Sequence, residues 1–131
     1  MQCVPFEQAA RDVSTGGPGV SGRILAQRTI GVRVCILREI TIPAGQATGW
    51  HYHDGYLYAY VKRGILSHFN AAYTSDGVYT AGNFLTETPG AGHVHIGENR
   101  GTTDVVLEVL YVLSHGARLS EDAPDPGCEP H

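Results

Sequence analysis

Two histidines separated by one residue, His51 and His53, form the clearest chemical feature of this sequence. They follow a glycine-containing turn, Gly45–Gly49, and open a strand-like segment. Because side chains alternate between the two faces of a β-strand, both imidazoles would lie on one face. Two neighbouring imidazoles can bind one ion of Zn, Fe, Mn, Ni or Cu, and His95 is a candidate third ligand further along the chain. The sequence therefore predicts a transition-metal site.

Many short segments rich in β-branched and aromatic residues predict the strands that must position these histidines. The most convincing strand covers residues 103–113, and Thr74–Gly77 has the composition of a hairpin turn. No stretch keeps a helical hydrophobic period over three turns, so we expect an all-β sandwich or barrel. The predicted strands are residues 23–30, 32–42, 51–53, 57–62, 65–70, 78–80, 83–86, 93–96 and 103–113.

The chain of 131 residues suits a single domain with one hydrophobic core. Glycines and polar residues predict an N-terminal arm over residues 1–20, ahead of a β-barrel domain over residues 21–116. Closely spaced prolines predict that the last segment, residues 117–131, is a tail extended over the surface.

Charge and hydropathy exclude some classes of partner. A formal net charge of −4 argues against nucleic acid or an anionic membrane surface as the main partner. No apolar run reaches the roughly 20 residues that span a bilayer. The first residues show neither the basic nor the apolar region of a secretory signal. We therefore expect a cytoplasmic protein that binds a small molecule, with no nucleic-acid or membrane partner.

The three cysteines, Cys3, Cys35 and Cys128, are far apart and form no CxxC pair. An odd number of cysteines in a protein expected to be cytoplasmic argues against a disulfide framework. Cys35 lies in a strand-like run and is interpreted as a small buried hydrophobic residue. Whether Cys3 and Cys128 pair stays open.

Two motifs of this sequence resemble the two motifs of the cupin superfamily. The first consists of Gly45, five further residues, His51 and His53, and it closes with Tyr60-Val61-Lys62-Arg63-Gly64. The second has one extra residue before its proline and one more before the glycine that follows. Its residues are Gly82, Pro89, Gly92, His95 and Asn99. The resemblance covers roughly residues 32–113.

The resemblance implies a jelly-roll barrel of roughly six to eight strands with a metal ion inside. It also implies that His51, His53 and His95 are the ligands. Leu57 occupies the position of the family's glutamate ligand, which leaves three neutral imidazoles with water or substrate completing the coordination. Without a carboxylate the metal is a stronger Lewis acid and favours an anionic or chelating oxygen ligand. Fe(II) is the preferred ion, and Zn(II), Mn(II), Ni(II) and Cu(II) stay open.

Other residues are candidates for the same site. Glu87 comes just before the second-motif loop and could contact a ligand or act as a general base, or be a solvated loop acid. His93 could be a fourth ligand or an acid–base group at the mouth of the barrel, or an exposed loop residue. The candidate pocket residues are Trp50, Leu57 and Phe84, together with His68, which could equally lie at the rim.

Three functions are compatible with these features. The first is an Fe(II)-dependent dioxygenase acting on a small oxygen- or thiol-bearing substrate, as the resemblance to three-histidine cupin dioxygenases implies. The second is a redox-neutral isomerase, cyclase or lyase that uses Zn(II), Ni(II) or Mn(II), similar to small cupins of polyketide pathways. The third is a non-catalytic domain that binds a small molecule.

A homodimer is the expected assembly. Tyr56, Tyr58 and Tyr60 share one face of a strand, and an exposed aromatic stripe is suited to a dimer interface. A small jelly roll also has free sheet edges that can pair with a copy of itself.

Overall fold

The computed structural model describes residues 19–127, which form ten β-strands and one short 3₁₀ helix. The elements are β1 Ser21–Ile30, β2 Arg33–Ile42, β3 His51–Tyr52, β4 Tyr56–Arg63, β5 Ile65–Asn70, β6 Ser75–Thr80, β7 Phe84–Glu87, the 3₁₀ helix Ala91–His93, β8 His95–Glu98, β9 Val105–Ser114 and β10 Glu121–Asp122. Within this part of the chain, no helix is long and apolar enough to cross a membrane. The predicted arm over residues 1–20 lies almost wholly outside the described residues, as do Cys3 and Cys128.

The strands form two antiparallel sheets of five strands each, and the predicted all-β architecture is confirmed. The first sheet has the order β1-β2-β9-β4-β7, and the second has the order β10-β3-β8-β5-β6. Every pairing within them is antiparallel. The two halves of the first motif, in β3 and β4, therefore lie in different sheets.

The main hydrophobic core is built by alternate residues of the first sheet. On β9 every second residue from Val105 to Leu113 is buried, while the residues between them, apart from the exposed end at Ser114, are half-buried. Strand β9 lies between β2 and β4, so its buried face forms the centre of the barrel wall. Burying one such side chain contributes roughly 2 kcal/mol. The other buried members of this core are Val34, Ile36, Ile42, Leu57, Ala59, Val61, Leu66 and Leu85.

A second, smaller apolar cluster holds the C-terminal segment on the barrel. It consists of Trp50, Phe69, Ile96 and Ala123. The backbone N–H of Ala123 donates to the carbonyl of Trp50 at 3.1 Å, and β10 pairs with β3. The first part of the segment predicted as a surface tail therefore packs against the strand that carries His51.

Asn99, the last residue of the second motif, joins two loops of the barrel. Its side chain is 2% exposed, and its amide nitrogen donates to the carbonyls of Ile42 and Thr103, each at 2.8 Å. Its side-chain oxygen accepts a hydrogen bond of 3.0 Å from the backbone N–H of Gly101. The motif asparagine is therefore structural, since it satisfies carbonyl groups that water does not reach.

The turn between β5 and β6 lies earlier in the chain than predicted. Strand β6 already begins at Ser75, inside the expected turn Thr74–Gly77. The side chain of Asn70 stabilises the actual turn by accepting hydrogen bonds from two backbone N–H groups, at 3.0 and 3.1 Å. Gly77 lies instead at a register shift within the β5–β6 pair, and its φ of 146° permits this bulge.

Two other expectations differ from the structure. The strand predicted over residues 93–96 begins only at His95, because residues 91–93 form the 3₁₀ helix. His93 and His95 therefore do not share a strand face. Cys35 on β2 is half-buried rather than fully buried.

Candidate metal centre

Three buried histidines meet inside the barrel. His51 on β3 lies opposite His95 on β8, and His53 follows the end of β3 directly. Their ring centroids are 4.3 Å apart for His51 and His95, 4.9 Å for His51 and His53, and 5.2 Å for His53 and His95. One ligating nitrogen of each ring lies within 4.8 Å of the other two. The fold thus brings together the three residues that the sequence assigns as ligands.

Backbone carbonyls fix the orientation and the tautomer of all three rings. Nδ1 of each histidine lies 2.8 Å from a carbonyl oxygen, and the acceptors belong to Gly49 for His51, Leu119 for His53 and His93 for His95. A carbonyl oxygen can only accept, so each Nδ1 carries a proton, and in the neutral imidazole Nε2 then keeps its lone pair.

Nε2 is the atom that a metal ion would use. The Nε2 atoms of His53 and His95 are buried and have no hydrogen-bond partner of good geometry. Orphaned lone pairs on neutral, oriented imidazoles are what a metal site requires. The donor set therefore fits a divalent transition metal.

A carboxylate lies within the same cluster. Oε2 of Glu87, on β7, is 2.5 Å from Nε2 of His95 and 3.5 Å from Nε2 of His53. Strand β7 pairs with β4, and Glu87 is the residue opposite Leu57, which occupies the glutamate position of the first motif. The neighbouring strand β7 therefore places the candidate acid–base residue Glu87 beside the three histidines.

Burial and mutual contact set the charges of these groups. Burial, together with the neighbouring His95 and His53, lowers the pKa of His51 to about 3, so His51 stays neutral. Burial raises the pKa of the Glu87 carboxyl, but the close approach of the His53 and His95 rings outweighs this and leaves it well below its usual range. Burial lowers the pKa of His95, and the Glu87 carboxylate more than compensates, so the net direction is upward. The Glu87 carboxylate is therefore anionic, which favours a cation beside it.

His68 lies beside the three histidines, and the carboxylate of Asp76 orients its ring. Its buried ring stacks on His95 with 4.8 Å between centroids. Nδ1 of His68 is 2.5 Å from a carboxylate oxygen of Asp76, and its Nε2 lies 3.8 Å from Oε1 of Glu87. His68, Glu87 and His95 form a second group whose ligating atoms lie close enough to hold an ion.

The cluster opens into a cavity of about 130 Å³ inside the barrel. For comparison, an apolar cavity of about 150 Å³ admits benzene, so a ligand of roughly one ring fits. The histidines and Glu87 form part of its wall, and Arg38 and Tyr111 also line it. Most of the remaining wall is apolar and includes Val20, Ile40, Leu57, Leu66, Leu85, Leu107 and Val109.

Comparison with known proteins finds similarity in structure only. No protein-family model matches the sequence, and no curated protein matches it as a relative. Among solved structures, a cupin 2 conserved barrel domain protein from Rhodopseudomonas palustris has a TM-score of 0.68 at 13% identity, covering 95% of this chain and 78% of that one. The polyketide cyclase RemF from Streptomyces resistomycificus has a TM-score of 0.65 at 17% identity, covering 96% and 90%.

This chain has the cupin fold. A third similar structure, a predicted oxalate decarboxylase from Thermotoga maritima, has a TM-score of 0.58 at 20% identity and covers 86% of this chain and 93% of that one. These proteins differ in their described activities, so the shared cupin barrel establishes the architecture and not the reaction.

Of the other residues predicted for the site, some line the cavity of the cupin barrel and others lie outside it. Leu57 and His68 line the cavity. Phe84 does not, because it lies on the outer face of the first sheet and is 72% exposed, while its neighbour Leu85 points inward. Trp50 is buried in the second apolar cluster rather than in the cavity wall. His93 is exposed on the 3₁₀ helix, and its contribution to the cluster is the backbone carbonyl that orients His95.

Two cavity residues, Arg38 and Tyr111, were not anticipated from the sequence. Strand alternation contained the signal for both. Arg38 lies two and four residues after the buried Ile36 and Val34 on β2, and Tyr111 lies two residues after Val109 on β9. Alternation along a strand therefore turns both side chains inward. A charged residue at an inward-facing position of a cupin strand is unusual enough to mark a functional candidate.

Proposed function

We propose that this protein is a metal-dependent cupin enzyme, an Fe(II) dioxygenase for a small substrate that carries an oxygen or thiol donor. One divalent ion is held by His51, His53 and His95, with the Glu87 carboxylate as a further ligand. The main support for this proposal is that Nδ1 of each histidine donates to a backbone carbonyl, which leaves Nε2 for the metal. The Nε2 atoms of His53 and His95 have no hydrogen-bond partner and lie beside the Glu87 carboxylate. Imidazole together with carboxylate suits Fe(II) when coordination positions remain open.

The chain's own residues prepare the site. When bound, the metal supplies Lewis acidity and, as iron, one-electron redox chemistry. The apolar side chains of Leu57, Leu66 and Leu85 exclude water from the cavity, which strengthens electrostatic interactions inside it. Oε1 of the anionic Glu87, on the side of His68, is positioned to accept the proton of a substrate hydroxyl or thiol.

A redox-neutral isomerase, cyclase or lyase is the second candidate, and one observation favours it. Asp76, His68 and Glu87 lie in series from an exposed carboxylate to the cluster, with Asp76 in contact with Nδ1 of His68 and 3.8 Å between Nε2 of His68 and Oε1 of Glu87. Such a series of acid–base groups suits proton transfer that needs no change in oxidation state. The similarity in fold to RemF, which is described as a polyketide cyclase, agrees with this alternative.

Metal content and oxygen consumption of the untagged protein test the proposal. We expect about one equivalent of iron in the wild type, loss of iron in the His51→Ala/His53→Ala variant, and no loss in His115→Ala, which removes an exposed histidine. The iron-loaded protein should consume oxygen with at least one member of a panel of small diketones, thiols and phenols.

Each other outcome selects against the dioxygenase. Stoichiometric Zn(II), Ni(II) or Mn(II), with conversion of a substrate under strict anaerobiosis, would establish the redox-neutral alternative. Metal binding without turnover of any substrate would leave a non-catalytic binding domain. Equal metal content in the wild type and the double variant would refute the metal centre itself.

A further inference from the structure

Arg38 is a cation on the inner face of the barrel. It lies on β2 between inward-facing apolar residues and is partly buried. It is the only arginine or lysine among the residues that line the metal-site cavity in the described part of the chain. Most charged side chains in a barrel of this size point outward, because an unpaired charge at an interior position is costly.

No carboxylate neutralises Arg38 within residues 19–127. Other arginines in this range have acidic partners, since Arg23 pairs with Glu39 at 3.1 Å and Arg100 pairs with Glu98 at 2.7 Å. Nη1 of Arg38 donates a hydrogen bond to the hydroxyl oxygen of Tyr111, at 3.1 Å. The guanidinium group therefore has donors left for another acceptor, because it carries five N–H groups.

Tyr111 connects Arg38 to the histidine cluster. Its ring lies 5.9 Å from the ring of His53, and its hydroxyl contacts Arg38. Because the hydroxyl oxygen accepts from Arg38, its own proton remains available to a further acceptor. Cζ of Arg38 lies 5.8 Å from the centre of the Tyr111 ring, so His53 and the guanidinium are both neighbours of this one ring.

The backbone of β1 leaves room for the guanidinium. Gly22 lies next to it, and a Cβ atom at this position would overlap the terminal atoms of the Arg38 side chain. Gly22 also lines the cavity. The absence of a side chain at residue 22 therefore allows Arg38 to lie against the strand at the edge of the cavity.

We infer that Arg38, assisted by the Tyr111 hydroxyl, binds the carboxylate of a small organic acid whose other end reaches the three-histidine cluster. A planar guanidinium matches the two oxygens of a carboxylate and can bind them in a bidentate manner. The apolar walls between the two ends fit a hydrocarbon or aromatic body. This inference deepens the proposed function by naming the substrate class, but the anion site itself does not require the metal.

Binding of benzoate and of benzamide tests the inference. The two probes have the same size and ring, and only benzoate carries a negative charge. We would titrate each into ¹⁵N-labelled protein, metal-depleted and metal-loaded, and follow the backbone amides and the Arg38 Nε–Hε resonance by NMR. The wild type should bind benzoate at least tenfold more tightly than benzamide in both forms, with a shift of the Arg38 resonance.

Substitutions at Arg38, Arg33 and Gly22 test whether the preference for benzoate over benzamide depends on Arg38. Arg38→Met should weaken benzoate binding at least tenfold and leave benzamide binding within twofold, while Arg38→Lys should retain part of the preference. Arg33→Met removes an exposed arginine of the same strand and should behave as the wild type. Gly22→Ala keeps the arginine but displaces its guanidinium, so it should also weaken benzoate binding if Arg38→Met does not fold.

The outcomes separate this inference from the proposed function. Equal affinity for the two probes, no binding of either, or an undiminished preference in both Arg38→Met and Gly22→Ala would overturn the anion site. An Arg38-dependent preference in a protein that binds no metal would support the anion site and refute the metal-dependent enzyme. Stoichiometric metal without a preference for benzoate would refute the anion site and leave the metal-dependent enzyme supported.

Discussion

Leu57 and Glu87 are direct cross-strand partners in the antiparallel pair β4–β7. Opposite residues of an antiparallel pair point to the same face and have Cβ atoms about 5 Å apart, and both side chains here line the barrel cavity. Leu57 stands where the first cupin motif has its glutamate. The barrel therefore has a carboxylate at the histidine cluster that comes from β7 and not from the motif position on β4.

Moving the carboxylate between these two positions gives the first prediction. Glu87→Leu should weaken metal binding roughly 10- to 100-fold, because the oriented donor set loses its only negative charge. Leu57→Glu/Glu87→Leu should recover much of the affinity, since the new carboxylate starts from the opposite position of the same strand pair. Competition with a chromophoric chelator for Zn(II) measures both effects, and Glu108→Leu, which removes an acid paired with Lys62, is the control. Wild-type affinity in Glu87→Leu would show that Glu87 is not a ligand.

Metal binding should also stabilise the folded protein. An ion that binds only the folded chain at 100 times its Kd adds about 2.7 kcal/mol to the free energy of unfolding, which raises Tm by several degrees. Thermal unfolding with and without Zn(II) measures this increase. The His51→Ala/His53→Ala variant should show no increase, and His115→Ala should match the wild type. A similar increase in the double variant would place the bound ion elsewhere.

The spacing within the first motif predicted that His51 and His53 lie together, because it reports local geometry. His51 and His53 are brought together by two residues of strand, and the turn around Gly45 and the structural Asn99 belong to the same local pattern. His95 was assigned from its resemblance to the second motif, and its place opposite His51 depends on the pairing of β3 with β8. The fold class also follows from local features, namely short strands and their turns.

Positions that depend on strand parity or on long-range register were not predictable in the same way. Phe84 was assigned to the pocket, but in a four-residue strand a shift of one residue reverses the face of every side chain. The place of Glu87 at the cluster depends on its pairing with Leu57, and the approach of His95 to His51 depends on the pairing of β3 with β8. Such relationships between distant segments are not encoded in any local pattern.

Asn99 should be important for stability and not for metal binding. Asn99→Ala leaves the carbonyls of Ile42 and Thr103 without their buried donor, which should lower the free energy of unfolding by about 2–3 kcal/mol. Urea denaturation measures the change. Asn83→Ala, which removes an exposed turn hydrogen bond to Thr80, should cost less than about 1 kcal/mol. Equal losses in the two variants would contradict the structural role of the buried amide.

The outer aromatic face of the first sheet, defined by Leu37, Tyr58, Tyr60, Phe84 and Leu110, is where we expect a second copy of the chain to bind. Phe84 is 72% exposed and packs only on Tyr60 among the aromatic rings of residues 19–127, with 4.8 Å between centroids. Large exposed apolar surface of this kind is stabilised when a partner covers it.

Light scattering during size-exclusion chromatography tests this dimer. The wild type should elute with the mass of two chains, and Phe84→Lys should shift the species to one chain, because a lysine ammonium cannot be buried unpaired at the centre of an apolar interface. Val78→Lys introduces the same charge at a residue that is 60% exposed on the second sheet and should leave the dimer intact. A single-chain mass for the wild type at micromolar concentration would rule out the dimer. A dimer that survives Phe84→Lys but not Val78→Lys would move the interface to the other sheet.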